Sequence, residues 1–287
     1  MTRPCPGPRA TTSRPDWQPP PGGVDCHMHI FGPYGRYPLS PGRSYTPPEA
    51  SIAQYRAMLD TLGLHRTIIV QPSIYGTDNA VTLDAVAAIG PTRARAVVVV
   101  DDSFGPDALA DMAARGACGV RFNAVSGNGT PLAQLEALAA RIAPLGWHLQ
   151  LYTHAAQLPE LEPILAHLPV PVVLDHMGGC KAADGLESPA FQALLRLLRT
   201  GAWVKLSGYR SSAGHPYADV APLARALIAA APERCLWGTD WPHPSLASPE
   251  DVPDDGHLLT LLGQWAPDAA HRRAILVDNP ACLYGFA

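Results

Sequence analysis

The chain of 287 residues carries a net charge of −4, with 47% hydrophobic and 16% charged residues; that supplies one sizeable apolar core and none of the basic surplus of a nucleic-acid binder. No apolar run approaches the roughly 18–20 residues that span a bilayer, and residues 1–23 lack the apolar centre of a secretory leader, so a cytoplasmic protein without a membrane partner is expected. The six cysteines are scattered without a Cys-x-x-Cys pair, which excludes a zinc ribbon or a dithiol redox motif.

Residues 1–23 hold Pro4, Pro6, Pro8, Pro15, Pro19, Pro20 and Pro21. Such a segment forms neither helix nor central strand and reads as a disordered or surface-draped arm that adds little to stability. From residue 24 the texture changes to short apolar runs alternating with helical spacing. The run 24–30 precedes a helix over 49–62, and 66–72 precedes one over 80–89. The pattern continues with 94–100 and 106–115, 117–123 and 131–145, 147–153 and 158–167, 170–176 and 189–198, 202–208 and 217–231, and 234–240 and 256–265. The runs are continuously apolar rather than alternating, as in a parallel sheet covered on both faces. Strand and helix alternating eight times predict an α/β protein, a single-domain (β/α)8 TIM barrel over 24–287 behind its N-terminal arm. A doubly wound open sheet is the competitor, but no Gly-x-Gly-x-x-Gly follows the first strand.

Polar residues gather where these strands end. The first strand delivers Asp25, His27 and His29, the second Gln71 and Ser73, the fourth Arg121 and Asn123, and the fifth Gln150, Tyr152 and His154. The sixth delivers His176, the seventh Lys205 and Ser207, and the eighth Asp240. Residues two apart on a strand share a face, so His27 and His29 are expected to point the same way. In a barrel that face converges on the axis, at the C-terminal rim where such folds place their chemistry. His27, His29, His176 and Asp240 could hold one divalent ion, such as zinc, with an open position. Equally, they could act without metal, with Asp240 as a base. Both alternatives stand on the sequence.

Asp25-Cys26-His27-Met28-His29, Leu174-Asp175-His176-Met177-Gly178-Gly179 and Gly238-Thr239-Asp240-Trp241-Pro242-His243 resemble the signatures of the amidohydrolase superfamily in its lactonase branch. Phe31-Gly32-Pro33, Gly119-Val120-Arg121-Phe122-Asn123 and Asp278-Asn279-Pro280 extend the likeness from the arm to the C-terminus, most closely toward the pyrone-dicarboxylate lactonases. The resemblance implies a barrel, hydrolysis of a small anionic lactone (2-pyrone-dicarboxylate, muconolactone or sulfomuconolactone), and an aspartate base at Asp240. The chain departs from it in 124–130, which holds no Arg or Lys where the pyrone lactonases have a second basic residue, and at Tyr75, where they have a His.

In this reading His27, His29 and His176 polarise the carbonyl, directly or through a metal. Arg121 and Arg210 grip a carboxylate or sulfonate by a planar fork. Tyr45, Tyr75, Tyr152, Ser73 and Asn123 bind ring substituents. A metal-dependent decarboxylase and a lactone isomerase are the rival enzymes, a barrel that only binds an anion is the non-enzymatic rival, and a monomer or homodimer is expected.

Overall fold

The computed structural model describes residues 2–286. Eight parallel strands lie in chain order: β1 Val24–Met28, β2 Arg66–Val70, β3 Ala94–Val98, β4 Ala117–Asn123, β5 His148–Tyr152, β6 Val172–Leu174, β7 Trp203–Lys205 and β8 Cys235–Leu236. The chain beyond β8 returns to β1 and closes the barrel. Cys26 N donates to Trp237 O at 2.9 Å, Asp240 N to His27 O at 2.8 Å and His29 N to Trp241 O at 2.8 Å. A side chain at Gly238 would strike the backbone and Cβ of His27, so glycine permits this approach.

Each strand is followed by a helix: α1 Ile52–Leu62, α2 Ala80–Ile89, α3 Pro106–Ala114, α4 Leu135–Ile142, α5 Leu158–Leu165, α6 Pro189–Arg199, α7 Ala221–Ala230 and α8 Asp255–Trp265. Helix starts are written locally. Ser51 and Gln54 form a capping box on α1, and Ser188 caps α6 ahead of Pro189. Among the described residues no helix is long and apolar enough to cross a membrane.

The strands are largely apolar because they bury both faces. Met28, Ile69 and Val98 pack outward with the helices, whereas Val24, Cys26, Ile68, Val70, Val97, Val173, Trp203 and Leu236 fill the barrel with Tyr284 and Phe286. Above this apolar floor the interior turns polar, with Gln150, Lys205, His27 and Asp175 in mutual contact.

One expectation changes. The β1–β2 register shifts between Asp25 and Met28, so Asp25 does not join His27 and His29. Its carboxylate instead takes hydrogen bonds from Tyr55 of α1 and from Thr239. The arm, for its part, is anchored. Arg3–Pro4 pairs in parallel with Tyr45–Thr46, Ser13 bonds to Asp254, and the Trp17 indole donates to Leu259 O of α8. Proline bars helix and central strand from the arm but allows the edge pairing at Arg3–Pro4, and the remaining N–H groups and side chains bind the barrel.

Candidate active site

A cavity of about 220 Å³ opens at the C-terminal rim and is lined by His29, Tyr45, Ser73, Arg121, Asn123, Tyr152, His176, Arg210 and Asp240, among others. His27 lies just beneath, fully buried. A larger hollow of about 590 Å³ holds Arg36 and Asp84 near α1 and α2 but none of the predicted site residues. Chemistry, not volume, selects the smaller one.

Tyr75 is the predicted site residue that the fold places elsewhere. Its hydroxyl accepts a hydrogen bond from Gly32 N at 2.8 Å, and the 3-10 turn Ser73–Tyr75 directs Ser73 alone to the cavity. His154 is exposed at the start of the turn after β5 and takes no part.

Asp240 is the centre. Its Oδ1 lies 3.3 Å from His29 Nε2 and 3.5 Å from His27 Nε2. Its Oδ2 receives hydrogen bonds from Arg210 Nε at 2.5 Å and Tyr209 OH at 2.6 Å, with His176 Nε2 at 4.0 Å. The backbone there is left-handed (φ 64°), as it is at His176 (φ 50°). Such conformations cost about 1–3 kcal/mol each in non-glycine residues and concentrate at functional sites. Burial alone would raise the Asp240 carboxyl, but the charge of Arg210 outweighs it and holds the group well below the usual carboxylate range. Burial also keeps the imidazoles neutral, pushing His176 down to about 3 and His27 and His29 below the usual histidine value.

Arg121 donates through Nη1 to Gln71 O, and its Nε lies 3.5 Å from Asp175 Oδ2. Its Nη2 keeps no hydrogen-bond partner among the described residues and belongs to a cavity-lining group. Ser126, in the loop without Arg or Lys, lines the same cavity with a buried hydroxyl that has no hydrogen-bond partner among the described residues. Asp175, Asp240, Arg121, Lys205 and Arg210 make ion pairs with one another here, so with neutral imidazoles the site carries one positive charge in excess.

Sequence reasoning gave no role to Tyr209, Asp175, Gln150 or Lys205. The last three signalled themselves as polar residues inside or ending apolar strands. Tyr209 lies in the turn after β7, where no periodicity marks it.

His27, His176 and Asp240 bring ligand atoms within 4.8 Å of one another, a group able to hold a metal ion, and His27 Nε2 has no hydrogen-bond partner among the described residues. His29 is not in that group, although its Nδ1, 2.7 Å from Val70 O, is oriented as a metal-bound imidazole often is. The surroundings oppose an ion as they stand. Arg210 already occupies Asp240 Oδ2, and the Lys205 ammonium lies 3.3 Å from His27 Nδ1. The residues in this arrangement do not fit a divalent ion.

The chain is 40% identical to a 2-pyrone-4,6-dicarboxylate hydrolase of Comamonas testosteroni over 96% of its own length and 94% of the relative's. It is 38% identical to a 4-sulfomuconolactone hydrolase of Rhizobium radiobacter (98% and 96% covered) and 36% identical to a D-galactarolactone isomerase of Agrobacterium fabrum (92% and 91%). An apo crystal structure from Agrobacterium tumefaciens superposes with a TM-score of 0.90 at 34% identity, covering 97% of this chain and 99% of that one. The amidohydrolase family model matches residues 24–286, the whole barrel with its rim residues, and the chain therefore belongs to the amidohydrolase family.

Proposed function

We propose that the protein hydrolyses a small lactone bearing one strongly anionic group, with Asp240 as general base. The observation that carries this reading is Asp240 between two imidazoles, at 3.3 and 3.5 Å, with the Arg121 guanidinium lining the same cavity. The names of the hydrolase relatives support it.

Asp240 takes a proton from water as the water oxygen attacks the lactone carbonyl carbon. His27, His176 and the excess positive charge stabilise the oxyanion that forms. Collapse breaks the ring C–O bond, and Asp240 returns its proton to the departing oxygen. Arg121 holds the anionic substituent, while Tyr45, Tyr152, Ser73 and Asn123 hold the remaining polar edge. Arg210 keeps Asp240 ionised, and a substrate anion that competes for Arg210 raises the proton affinity of the base as it binds. Ser126 offers a neutral hydroxyl where a dicarboxylate pyrone needs a second cation, which favours a singly charged lactone.

Acid release from a panel of lactones, read by indicator dye, tests the activity. Turnover of none of the anionic members would overturn it. The isomerase relative favours a second reading, in which Asp240 moves a proton within the lactone. Incorporation of oxygen-18 from labelled water into the product supports hydrolysis, and its absence supports isomerisation.

A further inference from the structure

Beneath the cavity floor lies a buried cluster whose residues have no individual role in the reaction above. Lys205 is fully enclosed. Its Nζ donates to Gln150 Oε1 at 2.7 Å and lies 3.5 Å from Asp175 Oδ1 and 3.3 Å from His27 Nδ1. Gln150 turns its Nε2 to Asp175 Oδ2 at 3.0 Å. Neighbours dictate that amide orientation, because an ammonium only donates and a carboxylate only accepts. An unpaired ammonium here would cost several kcal/mol, so Asp175 is its charge partner.

Lys205 decides between the two ring nitrogens of His27. Lys205 has no lone pair, so an N–H facing Nδ1 needs a lone pair there. Asp240 Oδ1, 3.5 Å from Nε2, offers only lone pairs and needs a proton there. The Nε2–H tautomer accepts the ammonium N–H at Nδ1 and turns its own proton toward Asp240 Oδ1, which lies beyond hydrogen-bond geometry among the described residues. The Nδ1–H tautomer would serve Asp175 Oδ1 at 3.3 Å, yet it would set a proton against the ammonium and a lone pair against the carboxylate. His29 is the reverse case, because Val70 O at 2.7 Å takes the proton of Nδ1.

We propose that Lys205 is a positioning residue that holds His27 in its Nε2–H tautomer, so that His27 presents a hydrogen-bond donor to Asp240 and the reacting atoms. This rests on the site assignment above but not on the identity of the substrate. Metals bind imidazole through a lone pair, so the same proton keeps His27 from acting as a ligand through Nε2.

Nitrogen NMR of the [15N]histidine-labelled protein near neutral pH tests the proposal without any substrate. His27 is assigned by the signals that vanish in His27→Gln. The expected wild-type spectrum shows His27 unprotonated at Nδ1 and protonated at Nε2. In Lys205→Met the proton should move to Nδ1, toward Asp175, and cobalt(II) affinity should rise about tenfold or more. On any lactone that is turned over, Lys205→Met should lower kcat while KM stays within about threefold, the pattern of an interaction made in the transition state. A wild-type His27 protonated at Nδ1, or bound to cobalt through Nε2, overturns the proposal, as does a Lys205→Met protein with the wild-type tautomer. Should the methionine variant fail to fold, the wild-type spectrum decides. Failure of the lactone panel with the expected tautomer would refute the substrate reading and leave the role of Lys205 standing.

Discussion

At Asp240 a base and a cation share one carboxylate. Arg210 donates to Oδ2 while Oδ1 faces His29 and His27, so the oxygen facing the imidazoles is the one left for a water molecule. Asp240→Asn keeps the shape and removes the base, and is expected to lower kcat by roughly three orders of magnitude or more with the fold intact. A variant retaining a tenth of wild-type turnover would assign the base elsewhere. Arg121→Met tests the anion. It should lower kcat/KM by about 2–4 kcal/mol in transition-state terms, chiefly through KM, and the loss should shrink on a neutral ester of the same substrate. Equal losses on both substrates would make Arg121 structural, consistent with its contacts to Gln71, Asp175 and the Tyr152 ring.

At the scale of elements, the arm reaches the rim of the cavity. Thr2 and Cys5 bond to Thr46, and the Arg3 guanidinium donates to Ser245 O, so the arm braces the neighbours of Tyr45 and a lining residue of the cavity. Deleting residues 1–6 should therefore raise KM about threefold to tenfold, on the order of 1 kcal/mol, with little change in kcat. An unchanged KM would mean that the loop holding Tyr45 supports itself. The eight strands and their helices were legible because continuous apolar runs and helical spacing are local properties, and the strand-end residues His27, His29, His176 and Asp240 came with them. The arm's docking was not, since proline content argues against helix and central strand but says nothing of side-chain anchors such as Trp17. Nor was the placement of Asp25, because a register irregularity in β1 breaks the two-residue alternation on which the reading relied. The Lys205–His27 contact spans 178 residues and closes only when the barrel does.

Taken as a whole molecule, the barrel stacks a polar rim on an apolar plug, and one titratable group is caught at the junction. His148 at the start of β5 is buried, both ring nitrogens lack partners among the described residues, and its ring packs edge-on to Tyr284. Gly119 on β4 is what admits the ring, since a Cβ there would collide with it. Burial, with Lys205 adding to it, pushes His148 down to about 3. The sign follows from linkage. The unfolded chain takes up this proton as pH falls below about 6.5, whereas the folded chain resists until about pH 3, so stability decreases with acidification across that window. By pH 5 the cost from this one residue is on the order of 2 kcal/mol. His27, His29 and His176 act in the same direction, while Asp25, raised to about 6 by burial, acts in the opposite one. Those groups remain in a His148→Leu variant and cancel in a comparison. Urea denaturation of both proteins at pH 7 and pH 5 should therefore show the variant losing about 2 kcal/mol less than the wild type on acidification, whatever the leucine does to stability at pH 7. Identical losses would mean that His148 finds a partner when protonated, and that the junction between plug and rim is wet enough to carry a charge.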